Sequence, residues 1–251
     1  MDLSHYHASP AEQQRLASLM GLLPANLAQA LDVGARDGFI SRQLAEHVPQ
    51  VTALDLDLPQ IDHARITSVQ GNATALAFAD ASFDLVFCAE VLEHLPSPAL
   101  ESACRELARV ARRFVLIGVP YRQDTRVGRL TCGQCGGISP PWGHVNRFDE
   151  SRLQTLFPTL RIGQIDFVGT ADVPTNGLSR LLMDWAGNPY GPYNQEERCQ
   201  HCDAAFTPPP QRTPTQRVMT RVAVQLRTLQ STLHRAHGNW MHVLLHKPDP
   251  R

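Results

Sequence analysis

The 251-residue chain contains no run of about 18 apolar residues, so no membrane-spanning helix is expected. Its opening, MDLSHYHASPAEQQRLASLM, has no basic segment leading into an apolar one, which excludes a secretory signal and predicts a cytoplasmic protein. Neither sign of charge is in excess: 23 Lys and Arg face 24 Asp and Glu, a net of −1. That balance gives no long-range pull toward nucleic acid or an anionic membrane, while leaving room for a local basic patch. Internal repeats are absent, and the one compositionally biased stretch, TPPPQRTPT at 207–215, reads as a loop. Also missing is the dinucleotide fingerprint G-x-G-x-x-G. In LDVGARDGFISRQL (31–44) the glycines are Gly34 and Gly38, with Ala35, Arg36 and Asp37 between them. A pyrophosphate needs backbone N–H groups and a positive helix N-terminus, and Asp32 and Asp37 would repel it. Two carboxylates suit a ligand with a positive end.

What is present is ordinary globular material, 43% hydrophobic and 19% charged, long enough to bury a full core. Apolar runs at 30–33, 51–56, 66–70, 83–89 and 114–120 alternate with helical patterns at 38–47 and 98–111. This order predicts an α/β fold with a parallel, doubly wound sheet covered on both faces. A leading helix over 12–23 carries Leu16, Leu19, Met20 and Leu23 on one side. A sixth strand is expected at 161–169 and a last one at 239–247. Between these two strands lies a long segment whose helical run places Val218, Val222, Leu226, Leu229 and Leu233 on an apolar packing stripe. Cys88 and Cys104 read as buried small apolar residues, and Asp37 as the N-cap of the helix that starts at Gly38.

Asp55 ends the second strand, where doubly wound folds place an acid for ribose hydroxyls. The succession LDVGARDG, an acid ending strand two, GNATALAF, SFDLVFCAEVLEHL and VLIGVPY resembles the class I S-adenosylmethionine-dependent methyltransferases over about residues 28–120. The resemblance implies a Rossmann-like, mostly parallel seven-stranded sheet whose last strand is antiparallel. It further implies that Asp32, Gly34 and Ala35 lie along the methionine part of S-adenosylmethionine. Asp55 would bind the ribose, Asn72 and Ala73 would read the adenine edge, and Ala89 and Glu90 would face the sulfonium and acceptor. Two departures stand out: Asn72 where the family more often has Asp, and Ala35–Arg36 where many members have a small residue and Gly.

Two C-x-x-C pairs, Cys132/Cys135 and Cys199/Cys202, form the ligand set of a tetrahedral structural zinc. The 63 residues between them are too many for a compact zinc ribbon, but a zinc joining both segments would pin a lid poor in apolar residues. Unrelated pairs or a redox disulfide are the other readings. The expected organisation is an N-terminal helical cap (1–27), a methyltransferase core (28–169 and 239–251), and a lid or insertion (121–147 and 170–238). Trp142, Tyr190 and Tyr193 would be lid aromatics.

For chemistry, EVLEHL supplies Glu90, Glu93 and His94, and PPWGH supplies His144. The E-x-x-E-H string resembles that of small-RNA 2′-O-methyltransferases, in which two acids and two histidines hold a divalent metal, and that of quinone-pathway O-methyltransferases. The reading adopted is metal-free O-methylation of a small-molecule or glycan-type acceptor, with Glu90, His94 and His144 as catalytic candidates and Glu93 structural. No nucleic-acid partner is expected. The alternatives are a metal-dependent RNA 2′-O-methyltransferase, and a non-catalytic cofactor-binding protein whose zinc lid serves partner recognition.

Overall fold

The computed structural model describes residues 7–248. It divides the chain into two compact units. Unit 1 comprises the residues up to Tyr121 together with Phe148–Gly169 and the segment from Gly238, and unit 2 comprises Arg122–Arg147 and Thr170–His237.

Unit 1 opens with α1 (Pro10–Gly21), whose N-cap Ser9 accepts from the Glu12 N–H. Then come β1 (Gln29–Val33), α2 (Phe39–His47), β2 (Gln50–Asp55), β3 (Ile66–Gln70), β4 (Phe83–Ala89), α3 (Ala99–Val110) and β5 (Ala111–Pro120). After the excursion into unit 2, α4 (Glu150–Leu156) and β8 (Arg161–Val168) follow, and β9 (Trp240–His246) closes the sheet. The strand order is β3-β2-β1-β4-β5-β9-β8, with β9 antiparallel to both β5 and β8 and the β3-to-β5 run parallel.

The apolar periods explain the layering. β4 is buried along nearly its whole length, as a central parallel strand must be when helices cover both faces. On one face α3 inserts Leu100, Ala103, Cys104, Leu107 and Val110, a helical stripe with every member fully buried. On the other, Leu19 of α1 and Leu44 of α2 join Leu85, Phe87, Leu116 and Leu244. Both Cys88 and Cys104 are fully buried. No described helix is long and apolar enough to cross a membrane.

Unit 2 has a short hairpin, β6 (Leu130–Thr131) with β7 (Ile138–Ser139), and two helices, α5 (Gly177–Trp185) and α6 (Pro214–Ser231). The α6 N-terminus carries a capping box between Thr213 and Gln216. The stripe expected on this helix is not its packing face. Val218, Val222, Leu229 and Leu233 are exposed, whereas Thr220 and Ala223 are buried. There the small Ala223 lets α5 approach closely enough for the Ser179 hydroxyl to donate to the Ala223 carbonyl at 2.8 Å. The core of unit 2 is small: Leu130, Cys132, Tyr193, Cys199 and Phe206.

Candidate functional site

β1 and β4 are neighbours at the point where the strand order reverses, the switch point outside whose carboxyl ends doubly wound sheets bind ligands. Gly34 sits there with φ +86°, and a Cβ on it would meet Val91 Cγ2 at 2.3 Å. Both features require glycine. The turn is fixed by the Leu54 carbonyl, which accepts from the N–H groups of Gly34 (2.8 Å) and Ala35 (3.1 Å). Asp55, at the adjacent strand end, accepts from the N–H of Arg36 at 2.8 Å and from Leu56 at 2.6 Å. Gly38 rather than Asp37 takes the N-cap position, and Asp37, one residue before it, accepts from the Phe39 N–H at 3.2 Å.

Asp32 lies below the turn rather than along it. It is 2% exposed and accepts from the Ser41 hydroxyl at 2.5 Å. Burial pushes its carboxyl up to about 7 against the opposing pull of Ser41, and the nearby Asp55 adds to the rise. Asn72 closes an Asx turn, its side-chain oxygen accepting from the Thr74 N–H (2.9 Å) and hydroxyl (2.8 Å). The side-chain oxygen expected to accept from an adenine amino group is thus engaged locally, and the amide nitrogen makes no hydrogen bond among the described residues. Ala73, beside it, is buried. Glu106 and Arg109 of α3 hold the loop in place: Glu106 accepts from the Leu76 N–H, and Arg109 donates to the Leu76 and Phe78 carbonyls.

After β4, Ala89 pairs with Gly118 and Glu90 turns into the left-handed region at φ +56°. Such a conformation in a non-glycine residue costs about 1–3 kcal/mol and clusters at ligand sites. One Glu90 oxygen is fully occluded although the side chain keeps 30% exposure, and Arg15 Nη2 lies 3.4 Å from it. Burial raises the Glu90 carboxyl; Arg15 opposes that rise and Glu12 reinforces it. Arg15 and Glu12 are buried on α1 and paired at 2.6 Å, and the Arg15 guanidinium lies 5.2 Å from the Trp240 ring. Glu93 is completely buried, with neither carboxylate oxygen hydrogen-bonded among the described residues. Burial first, then Glu90, holds its carboxyl well above the usual range. A ring nitrogen of His94 lies within 4.8 Å of a Glu93 oxygen. His144 belongs to unit 2, where its Nδ1 is 2.6 Å from the Gln123 side-chain oxygen.

Arg15, Glu12 and Trp240 are absent from the sequence-derived site, since a charged pair three residues apart on a helix ordinarily marks a solvated face. His242 is a second omission. Fully buried in β9, it places Nδ1 2.6 Å from the Ser18 hydroxyl, which also donates to Asp166 at 2.6 Å. A histidine inside the apolar run WMHVLLH was the available signal.

In unit 2 the four cysteines converge. Sγ of Cys132 is 3.7 Å from that of Cys202, Cys135 is 3.7 Å from Cys199, and all four lie within 4.8 Å of one another. The two C-x-x-C loops share one hydrogen-bond pattern. The first Cys N–H donates to a carbonyl five residues on (Gly137, Ala204), and its carbonyl accepts from an N–H four residues on (Gly136, Asp203). Those fourth residues both have positive φ, +69° and +56°. Two residues past Cys135 and Cys199, the N–H groups of Gly137 and His201 point back to sulfur at 3.3 and 3.5 Å. Regular tetrahedral coordination at a Zn–S distance of about 2.3 Å puts the sulfurs about 3.8 Å apart, so the cluster has the dimensions of a four-thiolate site.

Residues 31–114 match the methyltransferase domain family. The ubiquinone biosynthesis O-methyltransferase of Xylella fastidiosa (strain 9a5c) is 34% identical over 111 residues, 40% of this chain and 45% of that protein. The chain therefore spans a little under half the length of the curated relatives it matches. Among solved structures, a protein of Bacillus halodurans C-125 assigned as a methyltransferase superposes with a TM-score of 0.58 at 17% identity, covering 93% of this chain and 98% of that one. The N-methyltransferase NodS of Bradyrhizobium japonicum WM9, in complex with S-adenosyl-L-homocysteine, gives 0.51 at 19% identity over 66% of this chain and 83% of its own. Residues 31–114 match a methyltransferase domain, and the seven-stranded sheet of unit 1 has the Rossmann-like fold of the solved methyltransferases.

The buried Asp32 makes stability depend on pH in a defined direction. Its carboxyl titrates near 7 when folded and near 3.8 when unfolded, so stability present below pH 4 is lost as pH rises through 7. Asp32→Asn removes that loss. In urea unfolding followed from pH 5 to pH 8, the variant is expected to gain about 1–3 kcal/mol on the unsubstituted protein. Identical pH slopes for the two proteins would contradict the assignment.

Proposed function

We propose that the chain is an S-adenosylmethionine-dependent methyltransferase that acts on an oxygen of a small-molecule acceptor. The observation that carries this reading is that the matched residues, 31–114, reach into both strands of the β1/β4 switch point and include the Gly34 and Asp55 turns at its edge. The residues fit the cofactor. Gly34 holds the turn that carries Asp55 to the sheet edge, and the Asp55 carboxylate, with about four acceptor sites and two in use, keeps room for a ribose diol. When bound, the cofactor supplies a methyl group on a sulfonium. The protein orients the two reactants, and for such an in-line transfer positioning can supply most of the acceleration. Calorimetry is expected to show saturable S-adenosylmethionine binding that Asp55→Ala weakens by about 1–3 kcal/mol. Equal affinity for NAD would overturn the assignment.

The similarity to ubiquinone biosynthesis O-methyltransferases supports an oxygen as the methyl acceptor. Glu90 and His94, with His144 as a further candidate, are the groups proposed to accept the hydroxyl proton. A cytosolic setting accords with this reading, since thiols stay reduced there. One observation favours a metal-dependent second route, on RNA or on a small molecule: the Glu93 carboxylate has no hydrogen-bond donor among the described residues and has His94 beside it. Turnover can be read as S-adenosyl-L-homocysteine release with a panel of catechol acceptors. The metal-free route predicts activity that survives EDTA too dilute to strip a four-cysteine site and that falls with His94→Gln. Loss on chelation and recovery with magnesium would establish the second route.

For the four cysteines the proposed occupant is one structural zinc, supported by the sulfur spacing and the matched loops. Four thiolates leave no open coordination position, which argues against a catalytic ion there. Elemental analysis of protein purified without chelator should find about one zinc per chain. Cys132→Ser and Cys199→Ser should each lose it and each raise hydrogen exchange in both cysteine loops. Metal-free protein with both loops still protected would refute the site.

A further inference from the structure

Unit 2 contains eleven arginines and no lysine against six acidic residues, a net of +5 inside a chain whose total is −1. Four of these arginines, Arg126, Arg129, Arg180 and Arg227, line one cavity of about 490 Å³ made entirely of unit 2 residues. Three are held from behind. Arg126 uses Nε and Nη2 on Asp124 (2.7 and 2.9 Å), Arg129 uses Nη1 on Asp184 (2.8 Å), and Arg227 donates Nε and Nη2 to the Val173 carbonyl. Those bonds fix the guanidinium planes of Arg126 and Arg227, anchor Arg129 at one nitrogen, and leave N–H groups unused: Nη1 of Arg126, Nη1 of Arg227, and Nε and Nη2 of Arg129 have no partner among the described residues. The guanidinium of Arg180 makes no hydrogen bond or ion pair at all among them. The acids near the cavity, Asp124, Asp184 and the exposed Asp172, are outnumbered by the arginines, so one positive charge is left uncompensated.

We infer that this cavity binds the phosphate ester group of a hydroxyl-bearing molecule. Guanidinium forks match phosphate oxygens in pairs, and pre-oriented arginines lose little conformational freedom on binding. The cavity is larger than a bare phosphate needs, and Thr175, Asn188, Tyr190, Thr228 and Ser231 add hydroxyl and amide groups suited to a polyol. The ligand chemistry is shared by soluble sugar phosphates and by phosphate-bearing lipid headgroups. No step of methyl transfer enters the inference, so it stands or falls separately from the proposed activity.

The test uses the full chain purified with its metal. Inorganic phosphate, a hexose phosphate and the unphosphorylated hexose are titrated by calorimetry and ³¹P NMR, and phosphatidic acid vesicles by co-sedimentation. Arg180→Gln is the informative variant because no internal partner is orphaned; thermal unfolding should confirm that it folds. Saturable hexose phosphate binding that weakens at least tenfold in Arg180→Gln, with no binding of the bare hexose, is the expected result for a soluble ligand. Binding confined to vesicles and lost in the variant would assign the same phosphate chemistry to a lipid headgroup. Absence of binding in every arm, or equal binding by the variant, would overturn the inference.

Discussion

β1 and β4 run side by side at the centre of unit 1, and the segments that follow them meet at Gly34 and Val91 with no room for one more carbon. This contact sets the geometry of the carboxyl edge. It puts the Gly34 N–H on the Leu54 carbonyl, which aligns the end of β2 and carries Asp55 to the turn. On the other side it fixes the departure of the chain from β4, where Glu90 takes a left-handed conformation and the 3₁₀ turn Leu92–His94 begins. Any side chain at 34 would have to move Val91, and with it every acid in EVLEHL.

The same edge concentrates the molecule's least comfortable charges. Asp32, Glu90 and Glu93 are acids whose burial raises their carboxyls, and Arg15 from α1, 3.4 Å from Glu90, opposes the rise at both Glu90 and Glu93. Burying a carboxylate without full hydrogen bonding destabilises a fold. Apolar replacements of similar volume would generally serve stability as well or better. Three such residues at one sheet edge follow the pattern of sites where titratable groups are tuned to a task. α1 belongs to this arrangement as much as to the core: its apolar side supplies Leu19, while Glu12 and Arg15 reach the acids.

Unit 2 solves a different problem. Five buried side chains form its apolar cluster, and two of them are cysteines. A core of that size stabilises little on its own, and small folds in this position use metals or disulfides. The cysteine sulfurs sit at non-bonded separations of 3.7 Å, the spacing of a four-thiolate cluster. The unit's charge is as distinctive as its core. The whole-chain balance of −1 conceals +5 here and a compensating excess of acids in unit 1. Net charge predicts long-range steering by a whole molecule but says nothing about how charge is divided along a folded chain.

That division explains which features were legible in the sequence. Strands β1 to β5 and helix α3 were readable because apolar period reports burial directly when a sheet is covered on both faces. The convergence of the four cysteines was readable because two C-x-x-C pairs are a spacing with few uses besides metal binding and redox chemistry. Glu12 and Arg15 were not, because a buried ion pair has the same letters and spacing as a solvated one, and only the opposing strand ends reveal the difference. The α6 stripe misled for the converse reason. Val218, Val222 and Leu229 satisfy the helical period, but the contact with α5 needs close backbone approach, which Ala223 permits and a branched side chain would prevent. Apolar period identifies the packing face when the neighbour is a broad sheet. Where the neighbour is a single short helix, small residues and hydrogen bonds decide the face, and the larger apolar residues are left in solvent.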